Sequence, residues 1–365
     1  MQCYWINMNF KLLAQDNKAR VGELETLYGK IETPVFMPVG TLASVKGITK
    51  QTLEKLNYDI ILSNTYHLML RPGLKIIKNI GGLNKFMSWN KSILTDSGGF
   101  QIMSLGNNVK VDNEGVTFRS HIDGELVRLN AEKAMDIQYN LGSTISMIFD
   151  ECVPYPYSYY DTEESLKRSV EWSKRSIKAY KRRDGYGAFG IVQGGMYKDL
   201  RELSIQENLE NDFDGYAIGG LAVGEGKEQL NDITAFTSNL LPENKPRYLM
   251  GVGYPEDILN AVKHGVDMFD CVLPTRSGRT GLAFTSVGTI KIRNSKYSDD
   301  KTPLDPNCSC EVCSNYSKAY LHHLVKSSEI LGSVFLTHHN LCFYSNLMKN
   351  IRSAIKKNNL NNLKV

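Results

Sequence analysis

The 365-residue sequence predicts an α/β protein built on one (β/α)8 TIM barrel with an inserted C-terminal subdomain. Three observations carry this reading. Eight short apolar runs punctuate the chain. Helical patterns lie between most of them. Several runs are continuous rather than alternating, as parallel strands covered on both faces are. A barrel of this type uses such a length as one domain.

The elements follow in order. Residues 8–31 read as a β-hairpin leading into the barrel. The eight runs are 35–39, 60–62, 93–95, 145–149, 188–192, 216–218, 248–251 and 268–272. Helical patterns occupy 50–56, 131–141, 163–181, 199–208 and 255–264. In 163–181, Leu166, Val170, Ile177 and Tyr180 form an apolar stripe among charges of both signs. Two regions break the alternation. Residues 109–129 read as short strands with a turn at Asp123-Gly124. After Gly281 come Ala283-Phe284-Thr285 and residues 289–292, then a cysteine cluster: an insertion late in the barrel. The expected division is 1–280 for the barrel and its hairpin, 281–345 for a zinc-binding subdomain, and 346–365 for a C-terminal helix or tail completing the barrel region. The Lys/Asn-rich stretch from Lys349 reads either as a frayed helix or as compositional bias. No internal repeat is visible.

Composition sets bounds. A hydrophobic fraction of 42% and a charged fraction of 22% are those of an ordinary globular protein. Net charge of +4 does not by itself indicate a nucleic-acid partner; a local basic patch has to supply that. No apolar run reaches the ~18 residues a membrane span needs. The start, Met1-Gln2-Cys3-Tyr4-Trp5, lacks the basic region and long apolar core of a signal peptide, so a cytoplasmic protein is expected. Of seven cysteines, Cys3, Cys152, Cys271 and Cys342 stand alone, while Cys308, Cys310 and Cys313 cluster. In a reducing compartment such a cluster points to metal more than to disulfide. Three thiolates within six residues suit structural zinc, one per chain, which takes four tetrahedral sulfur and nitrogen ligands. The fourth is open among His322, His323, His338 and His339.

Three aspartates each follow an apolar run: Asp96, Asp150 and Asp270. At barrel strand ends they fall where active sites of this fold form. Asp270 is followed by Pro274, Arg276 and Arg279. A carboxylate held by the scaffold, beside guanidinium forks that match phosphate, suggests attack on a sugar carbon of a nucleic acid. The plainer alternative is a strand-end aspartate capping a helix, with surface arginines. Asp96 is followed by Gly98 and Gly99, which let backbone approach a ligand closely.

The stretches DSGGFQ (Asp96 to Gln101), FDEC (Phe149 to Cys152), GIVQGG (Gly190 to Gly195), IGGLAVGE (Ile218 to Glu225), YLMGVG (Tyr248 to Gly253) and MFDCVLPTRSGR (Met268 to Arg279) run through most of the chain. In that order they closely resemble the bacterial tRNA-guanine transglycosylases (queuine tRNA-ribosyltransferases). The resemblance implies the same barrel and an exchange of guanine at the anticodon wobble position of tRNA for a 7-deazaguanine base. It makes Asp270 the nucleophile of a covalent Asp–ribose intermediate and Asp96 the general acid/base. It puts Asp150 on the N–H edge of the base, with Gln193 and the backbone of Gly220 and Leu221 on the opposite edge. Phe100 and Met250 sandwich the ring, and some relatives carry tyrosine where this chain has Phe100. Ser97, Cys152 and Val223 complete the base site. Cys152 and Val223 match the bacterial pattern, which takes 7-aminomethyl-7-deazaguanine, and Glu225 senses the aminomethyl group. Arg276 and Arg279 contact the anticodon loop. The zinc histidine becomes His339, with His338 as the alternate. The family further implies a homodimer, with Tyr316, Tyr320, Leu321 and Leu324 as one candidate contact face or, equally, as packing within the subunit. Two rivals remain. A non-catalytic RNA-binding subunit would have lost the three aspartates, and an archaeal-type enzyme would carry extra C-terminal domains.

Overall fold

A computed structural model describes residues 8–106 and 109–364, so the readings of the first five residues and of Cys3 lie outside the described residues. The chain opens with a three-stranded antiparallel sheet of β1 (Asn9–Asp16), β2 (Ala19–Thr26) and β3 (Gly29–Thr33). That is one strand more than the expected hairpin. Residues Gly29–Thr33 alternate, with Ile31 and Thr33 buried, but Lys30 and Glu32 make so short a run look polar.

The eight apolar runs are eight parallel strands: β4 (Val35–Pro38), β5 (Ile60–Ser63) and β6 (Ser92–Thr95), then, beyond an inserted sheet, β10 (Ile145–Met147), β11 (Gly187–Val192), β12 (Gly215–Ile218), β13 (Arg247–Leu249) and β14 (Met268–Cys271). Neighbours run β4-β14-β13-β12-β11-β10-β6-β5. The ring closes through one parallel bridge between Val39 and Leu62, where Gly40 N–H donates to Leu62 O at 2.6 Å. The inserted sheet is β7 (Val109–Asp112), β8 (Gly115–Arg119) and β9 (Leu126–Leu129), all antiparallel.

The helix Tyr159–Ala179 corrects the predicted stripe. Its buried face is Thr162, Ser165, Leu166, Ser169, Trp172, Ser173 and Ser176, while Val170, Ile177 and Tyr180 are only half-buried. The serines are inside because they serve backbone beyond β10, where strand pairing has run out. Ser176 Oγ accepts from Phe149 N–H at 3.1 Å, and Ser169 Oγ accepts from Glu151 N–H at 3.0 Å. Asp150, between them, is fixed by both.

At the N-terminal end of the barrel, Arg20 reaches from β2 to the fully buried Asp267, with Nε 2.9 Å and Nη2 2.5 Å from its carboxylate oxygens. After β14 the chain forms the helix Leu273–Thr280, then an antiparallel hairpin of β15 (Leu282–Thr285) and β16 (Gly288–Lys291). A second, smaller apolar cluster follows, built from Ala283, Ile290, Ile292, Leu304, Val312, Leu321, Leu336 and the cysteines. One helix, Ile330–Lys356, runs from this cluster back onto β1, β2 and β4, and so continues across the expected 345/346 boundary. The stretch from Lys349 is helical to Lys356, with Ile351 and Ile355 buried against the barrel. Among the described residues no helix is long and apolar enough to cross a membrane.

Candidate active site

Asp96 follows β6 directly and is 8% exposed. Its carboxylate is cradled from the end of β5. Asn64 Nδ2 donates to Oδ2, and Thr65 N–H donates to Oδ1 at 2.9 Å. Gln101 Nε2 adds a second donor to Oδ2 at 2.8 Å. Burial pushes this carboxyl up to about 6; the three donors pull it down, and the charge of Asp270 raises it. The glycines after it answer to two close approaches. A Cβ on Gly98, whose φ is +89°, would touch the backbone of Tyr66 at 3.4 Å, and one on Gly99 would overlap Asp150 O at 2.5 Å.

Asp150 stands beside this loop. Ser97 Oγ donates to its Oδ1 at 3.2 Å, and Gln193 Nε2 donates to its Oδ2 at 2.7 Å. Gln193 therefore flanks Asp150 directly, where the resemblance sets the two on opposite edges of a base. Burial raises the Asp150 carboxyl to about 6 against these donors. Gln193 Oε1 is buried with no partner among the described residues, and a Cβ on Gly220 would lie 2.5 Å from it. Backbone of the 219–220 segment thus lies against the glutamine, with Leu221 buried next to it.

Asp270 closes β14. Tyr248 Oη donates to its Oδ1 at 2.5 Å and Gly251 N–H donates to the same oxygen at 2.8 Å. Oδ2 accepts no hydrogen bond among the described residues. Burial raises this carboxyl, and the two donors oppose it. Tyr248 is fully buried, and its hydroxyl is held well above the ordinary tyrosine range by burial and by Asp270. It therefore stays a donor.

The remaining expected residues divide. Cys152 is buried beside Asp150, and its thiol is pushed up to about 12 by burial, so it is a neutral wall. Val223 and Gly220 border a cavity of about 370 Å³ lined also by Tyr155, Tyr157, Met196 and Tyr197. Glu225 spends both carboxylate oxygens on its own loop, accepting from Ala222 N–H at 2.5 Å and Val223 N–H at 2.9 Å. Phe100 is 56% exposed at the start of the short helix Gly99–Met103, and Met250 is half-buried. Arg276 is exposed on the helix after β14; Arg279 on the same helix is half-buried, with Nη1 buried and without a partner among the described residues.

Sequence reasoning missed the supporting residues. Asn64 and Thr65 come just past the end of β5, one residue beyond its apolar run, and that position was their signal. Tyr248 hides inside a strand. Arg201 looked like a surface charge on a helix, yet it is fully buried. Its Nε donates to Gly195 O at 2.9 Å, Nη1 to Val192 O at 3.1 Å and Nη2 to Gly219 O at 2.9 Å, so it clamps the loops on either side of Gln193.

The cysteine cluster assembles as expected. Sulfurs of Cys308, Cys310 and Cys313 and a ring nitrogen of His339 lie within 4.8 Å of one another and can hold one metal ion. His339 Nδ1 lies 3.3 Å from Cys313 Sγ, and Nε2 shares a 2.8 Å hydrogen bond with Phe284 O, which turns Nδ1 toward the sulfurs. His338 is not in the cluster. Three soft thiols and one imidazole, largely buried and oriented from behind, fit zinc with no open position. Of the candidate contact face, Leu321 and Leu324 are buried inside the subunit. Tyr316 stacks between Phe335 and Tyr320, with centroids 4.5 and 5.5 Å away, and only Tyr320 of the four is exposed.

A family model described as Queuine tRNA-ribosyltransferase matches residues 15–365. A Queuine tRNA-ribosyltransferase of Rickettsia typhi is 54% identical over 348 residues, covering 95% of this chain and 96% of its own. That of Rickettsia canadensis is 53% identical over the same length and shares. The chain belongs to the queuine tRNA-ribosyltransferase family and is a pentosyltransferase.

Proposed function

We propose that this protein exchanges guanine at the wobble position of a tRNA anticodon for 7-aminomethyl-7-deazaguanine, by double displacement in queuosine formation. The unshared Oδ2 of Asp270, on a carboxylate whose other oxygen is fixed by Tyr248 and Gly251, carries the reading. Oδ2 attacks ribose C1′ as the C1′–N9 bond breaks, through an oxocarbenium-like transition state. The departing guanine takes its proton from Asp96. The incoming base returns a proton to Asp96, and its N9 attacks C1′ and displaces Asp270. A carboxyl poised at about 6 serves both transfers near neutral pH.

Asp150 accepts from the N–H edge of the base, and Gln193 with the 220–221 backbone completes that recognition. Phe100 and Met250 close on the ring faces. Cys152 and Val223 wall the 7-substituent, and Glu225 acts by shaping the loop that carries Val223. Arg276 and the unpartnered Nη1 of Arg279 take loop phosphates or bases; single-stranded loops are where RNA is read base by base. Zinc on Cys308, Cys310, Cys313 and His339 would be structural, tying segment 281–345 to the long helix. The protein acts in the cytoplasm as a homodimer, with Tyr320 on the exposed side of the contact face.

Incorporation of radiolabelled guanine into tRNA tests the reading. Wild type should incorporate label and Asp270→Asn should not. Wild type without incorporation, or a fully active Asp270→Asn, would overturn it.

A further inference from the structure

The sheet β7–β9 takes no part in the chemistry above, yet one of its residues reaches the cradle of Asp96. His121, in the turn between β8 and β9, holds Nδ1 2.7 Å from Tyr66 Oη. The two rings lie 28° from parallel with centroids 5.5 Å apart, and Phe118 of β8 packs on the same tyrosine at 5.5 Å. The turn is tied to itself: Ser120 N–H donates to Glu125 O, Gly124 N–H to Ser120 O, and Ile122 N–H to Ser120 Oγ. The turn is thus held by its own backbone, and from it the exposed His121 ring meets Tyr66.

Tyr66 is 2% exposed and touches both segments that place Asp96. Its chain neighbours Asn64 and Thr65 donate to the two carboxylate oxygens, and the Thr65 hydroxyl donates to Asp96 O. Gly98, two residues past Asp96, packs on the Tyr66 backbone. A shift of Tyr66 therefore moves the donors and the loop together.

We propose that His121 is a positioning residue for base exchange: by anchoring Tyr66 it fixes the Asn64–Thr65 cradle and so aims the Asp96 carboxyl. The proposal rests on Asp96 as the proton carrier. It needs no titration of His121. The titratable and charged groups around this contact are Tyr66, His67, whose ring is 6.0 Å from that of His121, Lys46 beside His67, and Asp123 with Arg71 near the turn. Asp96 itself faces Asp270.

Two variants separate the contacts. His121→Phe keeps the stacked ring and removes the hydrogen bond; His121→Ala removes both. Arg128→Ala, which breaks an exposed ion pair to Asp112 in the same sheet, is the control for general loosening. The expected result is a kcat roughly tenfold lower in His121→Phe and lower still in His121→Ala, because small misplacements of a reacting group are costly. KM for tRNA should stay within about twofold. The acid limb of the kcat–pH profile should move up, since the cradle donors hold the carboxyl down. Arg128→Ala should change neither. An unchanged kcat and limb in both His121 variants, or an equal loss in Arg128→Ala, would overturn the proposal. Infrared difference titration of the free protein, with Asp96→Asn to identify the band, follows the same carboxyl without turnover. A wild type that exchanges no base would then overturn the functional reading, while an unmoved Asp96 band in His121→Phe would overturn the anchor.

Discussion

Asp267 and Asp270 stand three residues apart in and beside one strand, and the barrel treats them oppositely. Asp267, at the N-terminal end, is fully buried and takes Arg20 Nε, Arg20 Nη2 and the Arg247 N–H. The remaining donors of Arg20 go to Glu243 O at 2.8 Å and Lys245 O at 2.7 Å, so nothing there is left to react. Asp270, at the C-terminal end, accepts both of its hydrogen bonds at one oxygen, and among the described residues nothing donates to the other. Burial raises both carboxyls; only at Asp267 does a cation pull back. The comparison teaches that an apolar strand delivers a carboxylate to either rim, and that its partners decide whether it braces the fold or, as proposed for Asp270, stays open for chemistry.

The sharpest break of this comparison is a pair of substitutions. Asp270→Asn should lower kcat by about 10⁴-fold or more, as loss of a catalytic nucleophile does, with the melting temperature nearly unchanged. Arg20→Ala should instead cost about 3–5 kcal/mol of stability, because it strands a buried carboxylate, and should leave the folded fraction active. Parallel calorimetry and steady-state exchange assays check both. A stable but inactive Arg20→Ala would erase the distinction between the rims.

The cluster of Cys308, Cys310, Cys313 and His339 is a third region, and in the proposed reading a bound metal ion braces it as Arg20 braces the lower rim. Cys310→Ser should lose most of about one zinc per chain and several degrees of melting temperature, read by elemental analysis and thermal scanning. A metal-free Cys310→Ser that keeps wild-type stability would remove the site from the account.

How much of this was legible follows from the length of the signals. All eight barrel strands could be read, because buried parallel strands are continuous apolar runs and the three aspartates end three of them. The cysteines of the candidate metal cluster could be read because their spacing is local. What could not be read depends on contacts distant in sequence. Arg201 looks like any helical surface charge until the carbonyls of Val192, Gly195 and Gly219 converge on it. The serines of Tyr159–Ala179 look polar and outward, yet they face inward because the backbone just past β10 needs partners there. Tyr248 sits within a strand whose side-chain direction no short run announces. The adjacency of Gln193 and Asp150 belongs to the same class: two loops set it, and neither loop encodes it alone.

Asp96 and Asp150 on the upper rim also carry a pH-dependent stability cost. Asp96 and Asp150, each raised to about 6 from 3.8, bind more protons folded than unfolded between those values. Stability should therefore be lost as pH rises from about 4 through about 6, by roughly 3 kcal/mol for each group. Asp150→Asn should flatten this slope and relax discrimination for guanine over related purines by about 10²-fold, since the acceptor facing the base becomes partly a donor. Denaturant melts across pH 4–7 and competition assays measure the two effects. A slope that persists unchanged in Asp150→Asn, or undiminished selectivity, would detach Asp150 from its role. In Asp96→Asn the acid limb of kcat near pH 6 should vanish along with most of the rate.

The most direct measurement is mass spectrometry of the protein digested after trapping with tRNA and an incoming base analogue. The account predicts RNA-derived mass on the peptide containing Asp270, absent in Asp270→Asn. Adduct mass on any other residue, or none under conditions where labelled base is being exchanged, would contradict the assignment of Asp270 as the nucleophile.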